Sequence, residues 1–249
     1  MVATFCLRLA AGLIAMLPIL PATDIPPRFF RVHFLTALGL LAIVGVFIYD
    51  NTTGLFWLTF GLAALGCIFG SIVWHVDEAP GGMGAVYLTP IALIACLIHG
   101  GMLVRGEADT PARMADDLLS ALIVGGALTA MLMGHSYLVA PAMSIDPLMR
   151  LLWALGVALV LRISVACVGL WGWSAGQSLG NLETEMLLWL PARWLLGLLI
   201  PLVLVWMGWE TARIRSTQSA TGILYVVVIV CFLGELTSML LVEKTGWVL

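Results

Sequence analysis

The sequence predicts an all-α fold: a polytopic integral membrane bundle of about eight transmembrane helices, one domain spanning residues 1–249. Two observations carry this. The chain is 62% hydrophobic and only 10% charged, with a mean hydropathy of +1.10, whereas soluble domains are roughly 25% charged. Apolar stretches close to the length of a bilayer span also recur along it, separated by links that concentrate proline, glycine and charge. The net charge of -3 is dispersed and forms no basic tract, so neither a nucleic-acid partner nor polybasic lipid binding is supported. The lipid bilayer and other membrane subunits remain as partners. The five cysteines lie inside apolar stretches without paired spacing and read as small hydrophobes.

The first helix is expected over approximately 3–20, stopped by Pro18 and Pro21. Arg8 interrupts its apolar run and no small-residue cleavage pattern follows, so it reads as a retained span rather than a leader. The second is expected over 33–49, after the Pro26-Pro27 break, and the third over 55–74, where Gly66 and Gly70 form a small-residue face. Further spans are expected over 84–104, 117–139, 149–173, 186–209 and 221–242. Most tryptophans fall within a turn or so of a proposed end, as the preference of indole for the membrane interface requires.

An even number of spans puts both termini on one side. Loops after odd-numbered spans carry Arg28, Arg31, Arg150, Arg213 and Arg215, and the opposite loops carry Arg105, Arg113 and Lys244. By the positive-inside rule the odd loops are cytoplasmic and both termini non-cytoplasmic, in a membrane of the bacterial inner type. The polar stretches 28–33, 75–78, 135–150 and 210–221 then share one face. The acidic loop from Glu107 to Asp117 lies on the other and reads as solvated surface.

The densest polar run is Gly134 to Arg150. It places His135 and Tyr137 at the end of one helix and Asp146 and Arg150 at the start of the next, with Pro141 and Pro147 constraining the return. An imidazole, a phenol, a carboxylate and a guanidinium against an apolar wall suit a quinone carbonyl, a heme edge or a titrating proton. His33 and His75 lie near the same face, and two of these histidines could ligate one heme b. The candidate cofactor-binding residues are therefore His135, Tyr137, Asp146, Arg150, His33 and His75. The sequence holds no zinc-protease, nucleophile-elbow or phosphate-loop motif.

A second set is intramembrane: Arg8, His99, Arg162, Arg193 and Glu235 fall inside proposed spans, where an ionised residue costs about 2.5–3.5 kcal/mol on insertion scales. At ~1.5 Å per residue, Arg8 and His99 sit roughly 8 Å from the face opposite the polar loops, and Arg193 and Glu235 roughly 10 Å. Arg162 lies deeper, roughly 16 Å in, near the midplane. Arg8 is expected to snorkel to the near interface, and Glu235 to neutralise Arg193 or Arg162. The functional expectation is a membrane subunit of an electron-transfer assembly, respiratory or photosynthetic in type, contacting quinone or heme at the polar face. The alternatives are a small-solute or ion transporter lined by Arg162, Arg193 and Glu235, and a structural membrane subunit.

Overall fold

The computed structural model describes residues 1–48, 53–76, 81–105, 111–140, 143–175 and 184–248. All regular secondary structure among the described residues is helical: α1 (Val2–Ala15) followed by a 3-10 turn (Leu17–Ile19), α2 (Pro27–Phe47), α3 (Gly54–Val73), α4 (Gly82–Arg105), α5 (Pro111–Val139), α6 (Asp146–Ala175), α7 (Thr184–Trp194), a π-helical turn (Leu195–Leu199), α8 (Ile200–Arg213) and α9 (Thr217–Thr245). The segments α7, the π turn and α8 run on as one span, and eight stretches are long and apolar enough to cross a membrane. The protein is an integral membrane helical bundle.

Two helices start six residues earlier than their hydropathy suggests, at 27 against 33 and at 111 against 117, and proline is the reason both times. Pro27 and Pro111 each open a helix, because a first-turn residue needs no intrahelical N–H partner and the ring pre-sets a helical φ. Pro26-Pro27 therefore begins α2 rather than breaking before it, and Arg28, Arg31 and His33 stand on the helix instead of in a loop. In α5 the same effect puts Asp116 and Asp117 more than a turn inside the helix. Pro191 and Pro201 bracket the π turn, so the span carrying Arg193 is irregular near its middle.

The core is a continuous apolar cluster running from α1 to α9. The helices α1 and α5 are its most enclosed spans, and α1 packs chiefly on α5 and α2. Its crossing with α5 is made by glycines. A methyl group at Gly12 would collide with the carbonyl oxygen of Ala121, and one at Gly125 with the backbone of Gly12. A second backbone-to-backbone approach joins Gly197 of the π turn to Gly234 of α9. The small face of α3 admits side chains rather than backbone, since Gly66 receives Thr89 and Gly70 receives the ring of Phe34. The cysteines are all free, and only Cys167 is exposed.

One end of the bundle is marked by polar ties. Lys244 pairs with Glu185, Arg113 donates to the Gly246 carbonyl, and Trp247 and Val248 lie against Gly172 and Gly169. These contacts bring together the starts of α5 and α7 with the ends of α6 and α9.

Candidate functional site: a buried ionic network

Below that end, five helices contribute six charged side chains to one buried cluster. They are Arg8 from α1, Asp116 and Asp117 from α5, Arg162 from α6, Arg193 from α7 and Glu235 from α9, each no more than 4% exposed. Three cations meet three carboxylates, so the formal charges cancel. The glycine crossings set the approach: Arg8 stands one turn from Gly12, and Asp117 one turn from Ala121 and two from Gly125, on the faces where α1 and α5 touch. Likewise Glu235 and Arg193 flank the Gly234–Gly197 contact. A methyl at Gly197 would fill the space that the Arg193 guanidinium occupies.

Four of the six side chains form a closed ring of alternating sign. Arg8 Nη2 lies 3.7 Å from Asp116 Oδ2. Asp116 Oδ1 lies 2.8 Å from Arg162 Nη1, and Arg162 Nη2 lies 3.8 Å from Glu235 Oε2. Arg8 Nη1 donates to Glu235 Oε1 and closes the ring. Asp117 is attached outside it, accepting from Arg8 Nε at 3.1 Å and from Arg8 Nη2. Each ring carboxylate thus faces two arginines, and each ring arginine two carboxylates.

Hydroxyls add acceptors around Arg162, which is fully enclosed at 0% exposure and whose Nε has no hydrogen-bond partner among the described residues. It donates to the Asp116 carbonyl and to Ser120 Oγ, and to Ser238 Oγ at 3.1 Å. Ser120 follows Asp116 by four residues and Ser238 follows Glu235 by three, so each hydroxyl shares a helix face with a ring carboxylate and meets the same guanidinium. Arg193 Nη1 approaches the Gly234 carbonyl at 3.5 Å. Along the helices, Arg8 lies about 9 Å from the start of α1 and Arg162 about 20 Å from the end of α6.

The cluster is joined to the surface. A cleft of about 330 Å³ is lined by Met1, Thr4, Arg8, Gly100, Gly101, Arg113, Met239, Val242 and Glu243. Arg8 forms part of its wall and simultaneously belongs to the ring. Its side chain is only 5% exposed, so it does not snorkel to water as expected from its position in the sequence. It is held inward by three carboxylates.

The structure brings together Arg162, Arg193 and Glu235 of the anticipated intramembrane group. Glu235 pairs with Arg8 and Arg162. His99 is half-buried on α4, and its Nδ1 has no hydrogen-bond partner among the described residues. The acids Asp116 and Asp117 are the residues that sequence reasoning missed, having assigned Asp117 to a solvated loop end. Pro111 was the available signal, because a helix beginning there carries both aspartates into the apolar layer.

The polar-face candidates have separate partners. His135 is exposed, whereas Tyr137 is buried and its hydroxyl donates to the Ser144 carbonyl at 2.6 Å. Asp146 and Arg150 are exposed. The Asp146 amide donates to Ser144 Oγ at 3.3 Å within the turn, and Arg150 Nη1 reaches the Ile19 carbonyl at 3.5 Å, which ties the start of α6 to the 3-10 turn after α1. Pro141 lies outside the described residues, as do Asp77, Glu78 and residues 106–110 of the acidic loop. His33 is fully buried, and its Nδ1 lies 2.8 Å from the Phe29 carbonyl. A carbonyl only accepts, so Nδ1 carries the proton and Nε2 the lone pair. His75 is exposed at the end of α3. No group of three or more His, Cys, Asp or Glu side chains among the described residues could hold a metal ion.

Fold and site together define a class: a polytopic, all-α membrane protein with a balanced ionic network inside the bundle. Compared with known proteins, the chain matches no family model, no curated protein and no solved structure.

Proposed function

We propose that the protein transports a small ion or charged solute, with the ring of Arg8, Asp116, Arg162 and Glu235 as the gate on its path. The supporting observation is that this ring lies within the membrane span and that one of its members, Arg8, also forms the wall of a cleft open to the surface. Stability alone is a poor reason to keep it. Exchanging a buried ion pair for well-packed apolar residues is often neutral or stabilising, and intramembrane charge is characteristic of ion and proton paths. A ring with two partners for every group suits a passing charge, because a group released by one partner keeps the other. The proline-flanked π turn beside Arg193 supplies an irregular segment of the kind found where transport helices are broken.

The test is flux in proteoliposomes, with an imposed potential and an internal pH dye for protons, and a chloride-sensitive dye in a second set. Wild-type protein should carry one of these probes faster than protein-free vesicles, and Glu235→Gln at matched reconstitution should not. Wild-type rates equal to those of empty vesicles for both probes would reject transport of small ions.

A second reading, the electron-transfer subunit holding heme b or quinone, is supported by His33. An imidazole whose Nδ1–H is fixed by a carbonyl presents Nε2 in the state a metal requires, and Nε2 of His33 is enclosed without a hydrogen bond among the described residues. A Soret band in the purified protein that His33→Ala abolishes would establish it, and a colourless preparation from heme-replete cells would remove the heme.

A further inference from the structure

At the other end of α2 from its Phe47 terminus, a cleft of about 540 Å³ lies between the start of α2 and the end of α3. Its walls are Arg28, Arg31, Val32 and Leu35 from α2, with Trp74 and His75 opposite. Among the four α2 residues, 28/31, 28/32, 31/35 and 32/35 are three or four residues apart, so they make one stripe, basic at the helix start and apolar a turn further in. The basic end is strongly cationic. No described carboxylate pairs with Arg28 or Arg31, the first turn of α2 contains no acid, and the positive end of the helix dipole lies there as well. Arg31 Nε is enclosed and has no hydrogen-bond partner among the described residues. The far wall is fixed: Trp74 stacks on Phe30 with centroids 4.2 Å apart and planes at 16°, and its indole N–H donates to the Gly82 carbonyl at 3.2 Å.

We infer that this cleft binds the phosphate of an anionic phospholipid, with the headgroup at Arg28 and Arg31 and the first part of an acyl chain along Val32 and Leu35. A phosphate offers the acceptors that two guanidinium groups seek. The apolar continuation favours a lipid over a free ion, since Val32 and Leu35 are 48% and 45% exposed and would face hydrocarbon beside the headgroup. Basic pockets between transmembrane helices recognise anionic headgroups by this arrangement. The site is separate from the ionic ring and independent of what the ring transports.

Native mass spectrometry of the full chain in mild detergent tests this, with phosphatidylglycerol, phosphatidylcholine and inorganic phosphate as probes. Wild-type protein should hold one phosphatidylglycerol in preference to phosphatidylcholine. Arg28→Gln with Arg31→Gln should weaken it roughly thirtyfold, about fivefold for each cation removed, while the paired lysine variants retain most of the affinity. Leu35→Glu should expel the lipid without touching either arginine, which guards against misfolding of the double variant. Displacement of the lipid by excess inorganic phosphate would make the occupant a free anion and overturn the lipid assignment. Parent-like phosphatidylglycerol affinity in both the double glutamine and the Leu35→Glu variants would overturn the site itself.

Discussion

Glu235 supplies the carboxylate on one side of both Arg8 and Arg162, as Asp116 does on the other. Its truncation to alanine leaves two buried guanidinium groups each short of a partner, and breaking a buried pair from one side costs about 3–5 kcal/mol. Thermal unfolding in detergent should show Glu235→Ala clearly destabilised relative to the parent, and adding Arg8→Met should recover part of the loss by removing one of the stranded cations. Losses in the double variant equal to the sum of those of Glu235→Ala and Arg8→Met alone would mean that Arg8 and Glu235 do not interact. Part of this was legible from the residues. An ionised side chain in an apolar run demands a partner, which drew attention to Arg162, Arg193 and Glu235 before any coordinates. Arg8 lies close enough to a helix start for snorkelling to account for it, and Asp116 and Asp117 close the acidic stretch from Glu107, which reads as solvated surface. Only the three-dimensional meeting of α1 with α5 shows that these groups neutralise one another. His135, Asp146 and Arg150 show the opposite case, since sequence proximity gathered groups that the fold leaves exposed with different partners.

At the scale of elements, the network is placed by two glycine crossings and one irregular turn. The α1–α5 crossing leaves no room for a side chain at Gly12 or Gly125, so Gly125→Val should lower folded yield sharply. Gly61→Ala on α3, where an added methyl meets nothing within 4 Å, should be neutral and serves as the control. Size-exclusion recovery of both variants checks this, and equal recoveries would contradict the crossing. The π turn makes a finer prediction. Removing Leu199 restores an ordinary α-helical register and rotates α7 by about 100° relative to α8, carrying Arg193 off the cluster. Circular dichroism should be unchanged while flux is lost. Retained flux would show that the register of Arg193 is immaterial. Hydropathy located these elements well but not their ends or irregularities. A window average does not register that Pro27 and Pro111 initiate helices, and a π turn differs from its α-helical neighbours in hydrogen bonding rather than in composition.

For the whole molecule, composition was sufficient to establish the class, because 62% hydrophobic residues in runs of span length have no stable arrangement except a bundle in lipid. With eight spans, tags at Met1 and Leu249 should report the same compartment and a reporter at Gln218 the opposite one. Disagreement between the two tags would require an odd number of crossings. The ring can be separated from the bundle that holds it by a variant that removes charge in matched pairs. Arg162→Met with Asp116→Leu takes out one cation and one anion together, leaving Arg8 with Asp117 and Glu235, so the bundle should stay folded with a thermal midpoint near that of the parent. Charge displacement by this double variant on a solid-supported membrane, driven in turn by proton and chloride gradients, is the most direct measurement of what the network does. A folded variant with no current where the parent gives one is the expected result, and a current equal to the parent's would show that the ring is scaffolding and not the gate.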